Sequence, residues 1–84
     1  MKKERKINMG YLIYGKVIKA GYVNKTYYDK PQKTFRALTR NGVRVNKLSD
    51  AFVYSTKQEA QQKLDEVLSK IKHKDMVMFE IRKA

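Results

Sequence analysis

The 84-residue chain has no cysteine. Disulfides and thiolate metal sites are therefore excluded, and a reducing compartment suits it. It has no tryptophan and one histidine, His73, set between Lys72 and Lys74. There is one proline, Pro31, and the glycines at 10, 15, 21 and 42 build no phosphate-cradling loop. Long apolar runs are also missing. The stretch behind the basic start Met1-Lys2-Lys3-Glu4-Arg5-Lys6 is broken by Gly10, Gly15, Lys16 and Lys19. It forms neither the apolar core of a signal peptide nor a membrane span. The expectation is a cytoplasmic protein with no membrane partner.

Acidic side chains are scarce: eight stand against twenty lysines and arginines, for a net charge of +12. Charge of this size predicts partners and not a fold. Its distribution is uneven. Between residues 7 and 47, Lys16, Lys19, Lys25, Lys30, Lys33, Arg36, Arg40, Arg44 and Lys47 face Asp29 alone. Residues 48–72 hold four charges of each sign. The first half is a polycation, and the second half is nearly neutral.

Catalytic groups are hard to assemble from this inventory. His73 fits a solvent-facing partner for the negative end of a helix better than a general base. Asp65 and Glu66 are adjacent, as on an outer helix face, and read as surface charge. No set of residues has metal-ligand spacing. The expectation is a protein that is not an enzyme, with no catalytic residue, metal or cofactor. A metal-free ribonuclease using tyrosine, arginine and lysine is the enzymatic alternative.

With 42% hydrophobic and 11% aromatic residues, the chain can bury one thin core. No repeat or linker divides it, so residues 9–84 read as one domain behind a basic arm at residues 1–8. Tyr11 to Lys19 is rich in β-branched and aromatic residues and predicts a strand, apolar enough on both faces to be central. Gly21 to Lys33 reads as a loop or irregular edge. Thr34 to Lys47 predicts a hairpin on Asn41-Gly42. A two-residue loop would set Arg36 against Lys47, whereas a three-residue loop pairs 39 with 43 and 37 with 45. The latter separates an apolar face (Phe35, Ala37, Val43, Val45) from a basic face (Arg36, Leu38, Arg44, Asn46), with Arg40 at the tip.

Ala51 to Tyr54 predicts a short fourth strand. Thr56-Lys57-Gln58-Glu59 is a capping box. Behind it Ala60, Leu64, Val67, Leu68 and Ile71 make one helical stripe, so a helix is expected over about 57–72, with Glu59–Lys63 and Glu66–Lys70 as supporting pairs. Met76 to Arg82 alternates as a last strand. The fold class is α+β, a mostly antiparallel sheet in the order β-β-β-β-α-β with the helix packed on one face. The helix is expected to cover Phe35, Ala37, Val43 and Val45, which leaves the arginine face open.

That face, Arg36, Arg40 and Arg44, is the candidate binding site, since guanidinium forks clamp phosphates where lysine cannot. Lys47 extends it. Tyr27 and Tyr28, interleaved with Lys25, Lys30 and Lys33, could stack bases while the cations hold a backbone. The alternatives are a solvated edge hairpin charged against aggregation, and tyrosine rings that cover the core edge.

The passage Ala51-x-x-Tyr54-x-Thr56-x-x-Glu59-Ala60-x-x-x-Leu64, with a YLIY-type first strand and a closing FEIRK-type strand, resembles small accessory proteins of phages and mobile elements in Gram-positive bacteria. The resemblance implies a role against host defence in a bacterial host, as in anti-CRISPR proteins. The hairpin with Thr56-Lys57-Gln58-Glu59-Ala60 also looks like the arm-type DNA-binding domain of tyrosine recombinases, which presents its sheet to the major groove. The extra strand at 76–82 departs from that pattern. The leading expectation is a non-enzymatic inhibitor or accessory factor that binds nucleic acid or a nucleoprotein, such as a CRISPR effector. A sequence-reading DNA-binding domain and a protein–protein inhibitor docking on an acidic patch are the alternatives.

Overall fold

Strand β1 (Tyr11–Val17) is the element on which the others are laid, and the computed structural model describes it within residues 10–84. The basic arm expected at residues 1–8 lies outside the described residues. After β1 come β2 (Gly21–Val23), β3 (Thr26–Tyr28), β4 (Arg36–Ala37), helix α1 (Lys57–Ser69) and β5 (Val77–Lys83). Short 3-10 turns sit at Leu48–Asp50 and Lys74–Met76. The fold is α+β, as expected. A three-stranded antiparallel sheet has the order β4-β1-β5, with β1 central, and β2-β3 form a second sheet.

The β1–β5 register runs from Tyr11 opposite Lys83 to Val17 opposite Val77. Paired residues share a side, and the sides alternate along each strand. Tyr11, Ile13 and Gly15 therefore share one face with Phe79 and Ile81. Leu12, Tyr14 and Lys16 share the other with Met78, Glu80 and Arg82. The helix packs on the first face. Ile13, Leu38, Tyr54, Ala60 and Leu64 form the core there, flanked by Tyr11, Leu68, Phe79 and Ile81. Full burial of a leucine or isoleucine stabilises by about 1.5–3 kcal/mol, so these few side chains carry the fold.

Helix α1 starts where the sequence places it. Thr56 is the N-cap, and its hydroxyl accepts from the Glu59 amide at 3.1 Å. The Glu59 carboxylate accepts from the Ser55 hydroxyl. The helix stops at Ser69, three residues short of the expected end. There the Lys70 and Ile71 amides donate to carbonyls three residues back, Val67 and Leu68, which tightens and ends the last turn. Lys63 bonds Glu66 at 3.2 Å instead of Glu59, whose carboxylate is held by Ser55. Lys70 pairs with Glu66 at 3.7 Å, as expected.

The hairpin keeps its three-residue register. The Thr39 amide donates to Val43 and the Val45 amide to Ala37, at 2.8 and 2.9 Å. Gly42, at φ +86°, takes the left-handed position. The Thr39 hydroxyl accepts from the Asn41 and Val43 amides and ties the loop together.

Which hairpin face meets the helix is reversed. The Leu38 amide donates to the Ile13 carbonyl at 2.9 Å, and Tyr14 pairs with Ala37. This puts Leu38 on the helix side and Ala37 on the other. Leu38 is 2% exposed and Val43 59%. The hairpin alternation alone does not choose a face; the register with β1 does. Two further expectations change. Gly21 to Lys33 contains the β2-β3 hairpin, turned at Asn24 (φ 55°). Ala51–Tyr54 forms no strand, and its link to β1 is one reciprocal pair of hydrogen bonds between Tyr54 and Tyr11 at 2.8 Å.

Candidate anion-binding groove and basic surface

The side-chain reversal of the hairpin turns Arg36 and Arg44 together toward the helix side of the sheet and leaves Arg40 apart from them. Arg36, opposite Gly15, bonds the Asn46 side chain across the hairpin and stays exposed. Arg44 turns toward the helix side of the sheet and donates from Nε to the Gly15 carbonyl at 3.0 Å. Burial lowers its pKa, with the neighbouring Arg36 charge acting in the same direction. Arg40 lies elsewhere, 5.7 Å from the Phe52 ring centre, in a shallow groove with Tyr54, Glu59 and Glu66. The expected single open arginine face is thus not formed.

What forms instead is a groove of about 440 Å³ on the helix side. Five stretches of chain build it. Val17, Val77 and Phe79 come from the ends of β1 and β5, and Val67, Lys70 and Ile71 from the end of α1. Asn24, Thr26 and Tyr28 come from the β2-β3 hairpin, and Leu38, Gly42 and Arg44 from the 34–47 hairpin. No aspartate or glutamate lines it. The β2-β3 hairpin is positioned by Gln32, whose side-chain oxygen accepts from the Val17 amide and whose own amide donates to the Val17 carbonyl.

Of the residues singled out from sequence, the groove brings together Arg44 and Tyr28. Tyr27 lies outside it, 59% exposed, with its ring edge-to-face to Tyr22 at 5.1 Å between centres. Lys25, at the β2-β3 turn, and Lys30, Lys33 and Lys47 are exposed along the same half of the chain. Among the described residues, none of Lys25, Lys30, Lys33, Arg36, Arg40, Arg44 and Lys47 is in an ion pair with a carboxylate. The pairs that do form use Lys19, Lys63, Lys70 and Arg82.

The helix-free face of the sheet carries a second cationic feature that the sequence reading missed. Arg82 lies 4.3 Å from the Tyr14 ring centre and 5.2 Å from that of Phe35, and the Lys16 ammonium is 4.8 Å from Phe35. Phe35 was expected beneath the helix. The signal lay in the alternation of β1 with β5, which puts Tyr14 and Lys16 beside Glu80 and Met78. Arg82 is also bonded to Glu80 on that face.

No protein-family model, curated protein or solved structure matches the chain. Its chemistry is therefore read from its own residues. Among the described residues, no helix is long and apolar enough to cross a membrane. Val23, Asn24 and Thr26 are groove residues that the sequence pattern did not point to, because the groove joins segments distant in sequence.

Proposed function

We propose that the chain is a non-enzymatic accessory protein that binds nucleic acid, free or within a nucleoprotein, through its cationic first half. What supports this reading is the uncompensated charge on residues 25–47: seven lysines and arginines without a carboxylate partner among the described residues, with Asp29 the only acid in the stretch. Phosphates supply the missing anions, and their condensed counterions are released on binding. The separation of Arg40 from Arg44 favours contacts spread along a backbone over one clamp on a single phosphate. In the phage-type setting implied by the sequence resemblance, such a protein inhibits by occupying the nucleic-acid channel of a defence nucleoprotein, an anti-CRISPR-like action.

The second reading is a protein–protein inhibitor docking on an acidic patch. Phe52, exposed beside Arg40, favours it, because it joins apolar area to a cation.

Titration of affinity against salt separates the two. With random duplex DNA and with structured RNA, the nucleic-acid reading expects log K to fall linearly with log salt, by about 0.9 per phosphate contacted in a duplex. No binding at low salt, or a flat slope, overturns it in favour of the protein partner.

A further inference from the structure

The groove between the end of α1 and the β2-β3 hairpin holds an unbalanced charge in a concave, half-apolar setting. Arg44 is half-buried there, and its described side-chain bond goes to a backbone carbonyl, not to a carboxylate. Lys70 stands at the rim, exposed and 3.7 Å from the Glu66 carboxylate, while no acid lines the wall itself. A partly desolvated guanidinium without an anion is an unmet electrostatic demand. Beside it, Val77 and Phe79 offer apolar surface, and Asn24, Thr26 and Tyr28, residues with amide and hydroxyl groups, line the wall. The volume, about 440 Å³, is in the range that encloses a small organic ligand.

We propose that this groove takes one nucleotide of a single strand, its base against the apolar wall near Phe79 and its phosphate on Arg44 and Lys70. The inference rests on the nucleic-acid reading and narrows it. A duplex keeps its bases stacked and paired, so only a single strand, a loop or an end can lend one to a groove. A plain aliphatic carboxylate would satisfy Arg44 but leave the amide and hydroxyl groups of the β2-β3 hairpin without a role.

The test uses two variants of the full chain, each checked for an unchanged helical spectrum. Arg44→Gln removes the charge. Val43→Trp leaves all charges in place and sets an indole at the mouth of the groove, whose edge Val43 forms while 59% exposed. The probes are a thymidine homo-oligonucleotide, a random duplex, and uridine monophosphate and dodecanoate, each of the last two followed by amide chemical shifts. Expected for Val43→Trp is about a tenfold loss of affinity for the single strand, the scale of one base contact, with duplex affinity unchanged. Expected for Arg44→Gln is at least that loss for the single strand. Uridine monophosphate should move the amides around Phe79, Arg44 and Thr26.

Single-strand affinity untouched by Val43→Trp overturns the groove assignment while leaving backbone binding elsewhere intact. So does a monophosphate that moves only amides outside the groove, or dodecanoate that binds the groove while the monophosphate does not. No salt-dependent binding to any nucleic acid overturns both this inference and the reading beneath it.

Discussion

Arg44 spans 29 residues of sequence to donate from Nε to the carbonyl of Gly15, at 3.0 Å. The same glycine accommodates the Phe79 ring on the paired strand. A Cβ at residue 15 would lie 2.6 Å from two atoms of that ring. One small residue thus sets both the guanidinium and the aromatic wall of the groove. Gly15→Ala should destabilise the fold by about 1–3 kcal/mol through overpacking. Adding Phe79→Leu should recover part of the loss, which a double-mutant cycle in urea measures. Simple additivity of the two losses would show that the contact is not the cause.

Tyr54 offers a stabilising change. It is 8% exposed, and its hydroxyl oxygen is buried without a hydrogen-bond partner among the described groups. Burial raises its pKa, against the opposing pull of Arg40. Tyr54→Phe keeps the ring in the core and against Phe52, 4.7 Å away between ring centres, while removing the unsatisfied group. Stability should stay level or rise by up to about 1 kcal/mol. A clear drop in the thermal midpoint would mean that the hydroxyl has a partner.

Helix α1 depends on its cap more than on its outer ion pairs. Thr56→Ala removes the acceptor for the Glu59 amide and should cost about 1 kcal/mol. Lys63→Ala, which breaks a solvent-exposed pair with Glu66, should cost less than about 0.5 kcal/mol. The reverse order, read from denaturant midpoints, would contradict this ranking.

The acid limb of stability should come from the same helix. The Ser55 hydroxyl bonded to Glu59 lowers that carboxyl's pKa, and the Lys63 bond lowers that of Glu66. A group held low in the folded state gives stability that is full above its unfolded value, about 4.3. That stability is lost as pH falls through the lower folded values. The urea midpoint should therefore hold steady from pH 7 to about 5 and decline below about 4.5. Glu59→Gln with Glu66→Gln should make the decline shallower. An unaltered decline would assign it to other carboxylates.

The elements legible in the sequence are those set by neighbours in the chain. The Thr56 cap and the Ala60-Leu64-Leu68 stripe located the helix, and Gly42 fixed the hairpin loop. The alternation of residues 76–82 marked β5, and the apolar run from Tyr11 marked a central strand. What failed depended on contacts between distant segments. Leu38 is the largest aliphatic side chain of its hairpin, which hinted at its burial, but only the pairing with Ile13 turns it toward the helix. The β2-β3 hairpin was hidden because its strands are three residues long and Tyr22 and Tyr27 remain exposed. Its signal was the pair Asn24-Lys25 between Tyr-Val and Thr-Tyr, a turn flanked by strand formers. The groove needs β1, β5, α1 and both hairpins, so neither sequence spacing nor charge counting could outline it.

The most direct test compares two charge-removal sets in the same salt titration against random duplex DNA. One set replaces Lys25, Lys30, Lys33, Arg36 and Lys47 with serine; the other replaces Lys57, Lys72 and Lys83. If the cationic first half meets the phosphates, the first set should flatten the slope of log K against log salt by several units, at about 0.9 per contact removed, and the second should barely change it. Equal flattening by both sets, or a wild-type slope near zero, would contradict the assignment of nucleic-acid binding to this half of the molecule.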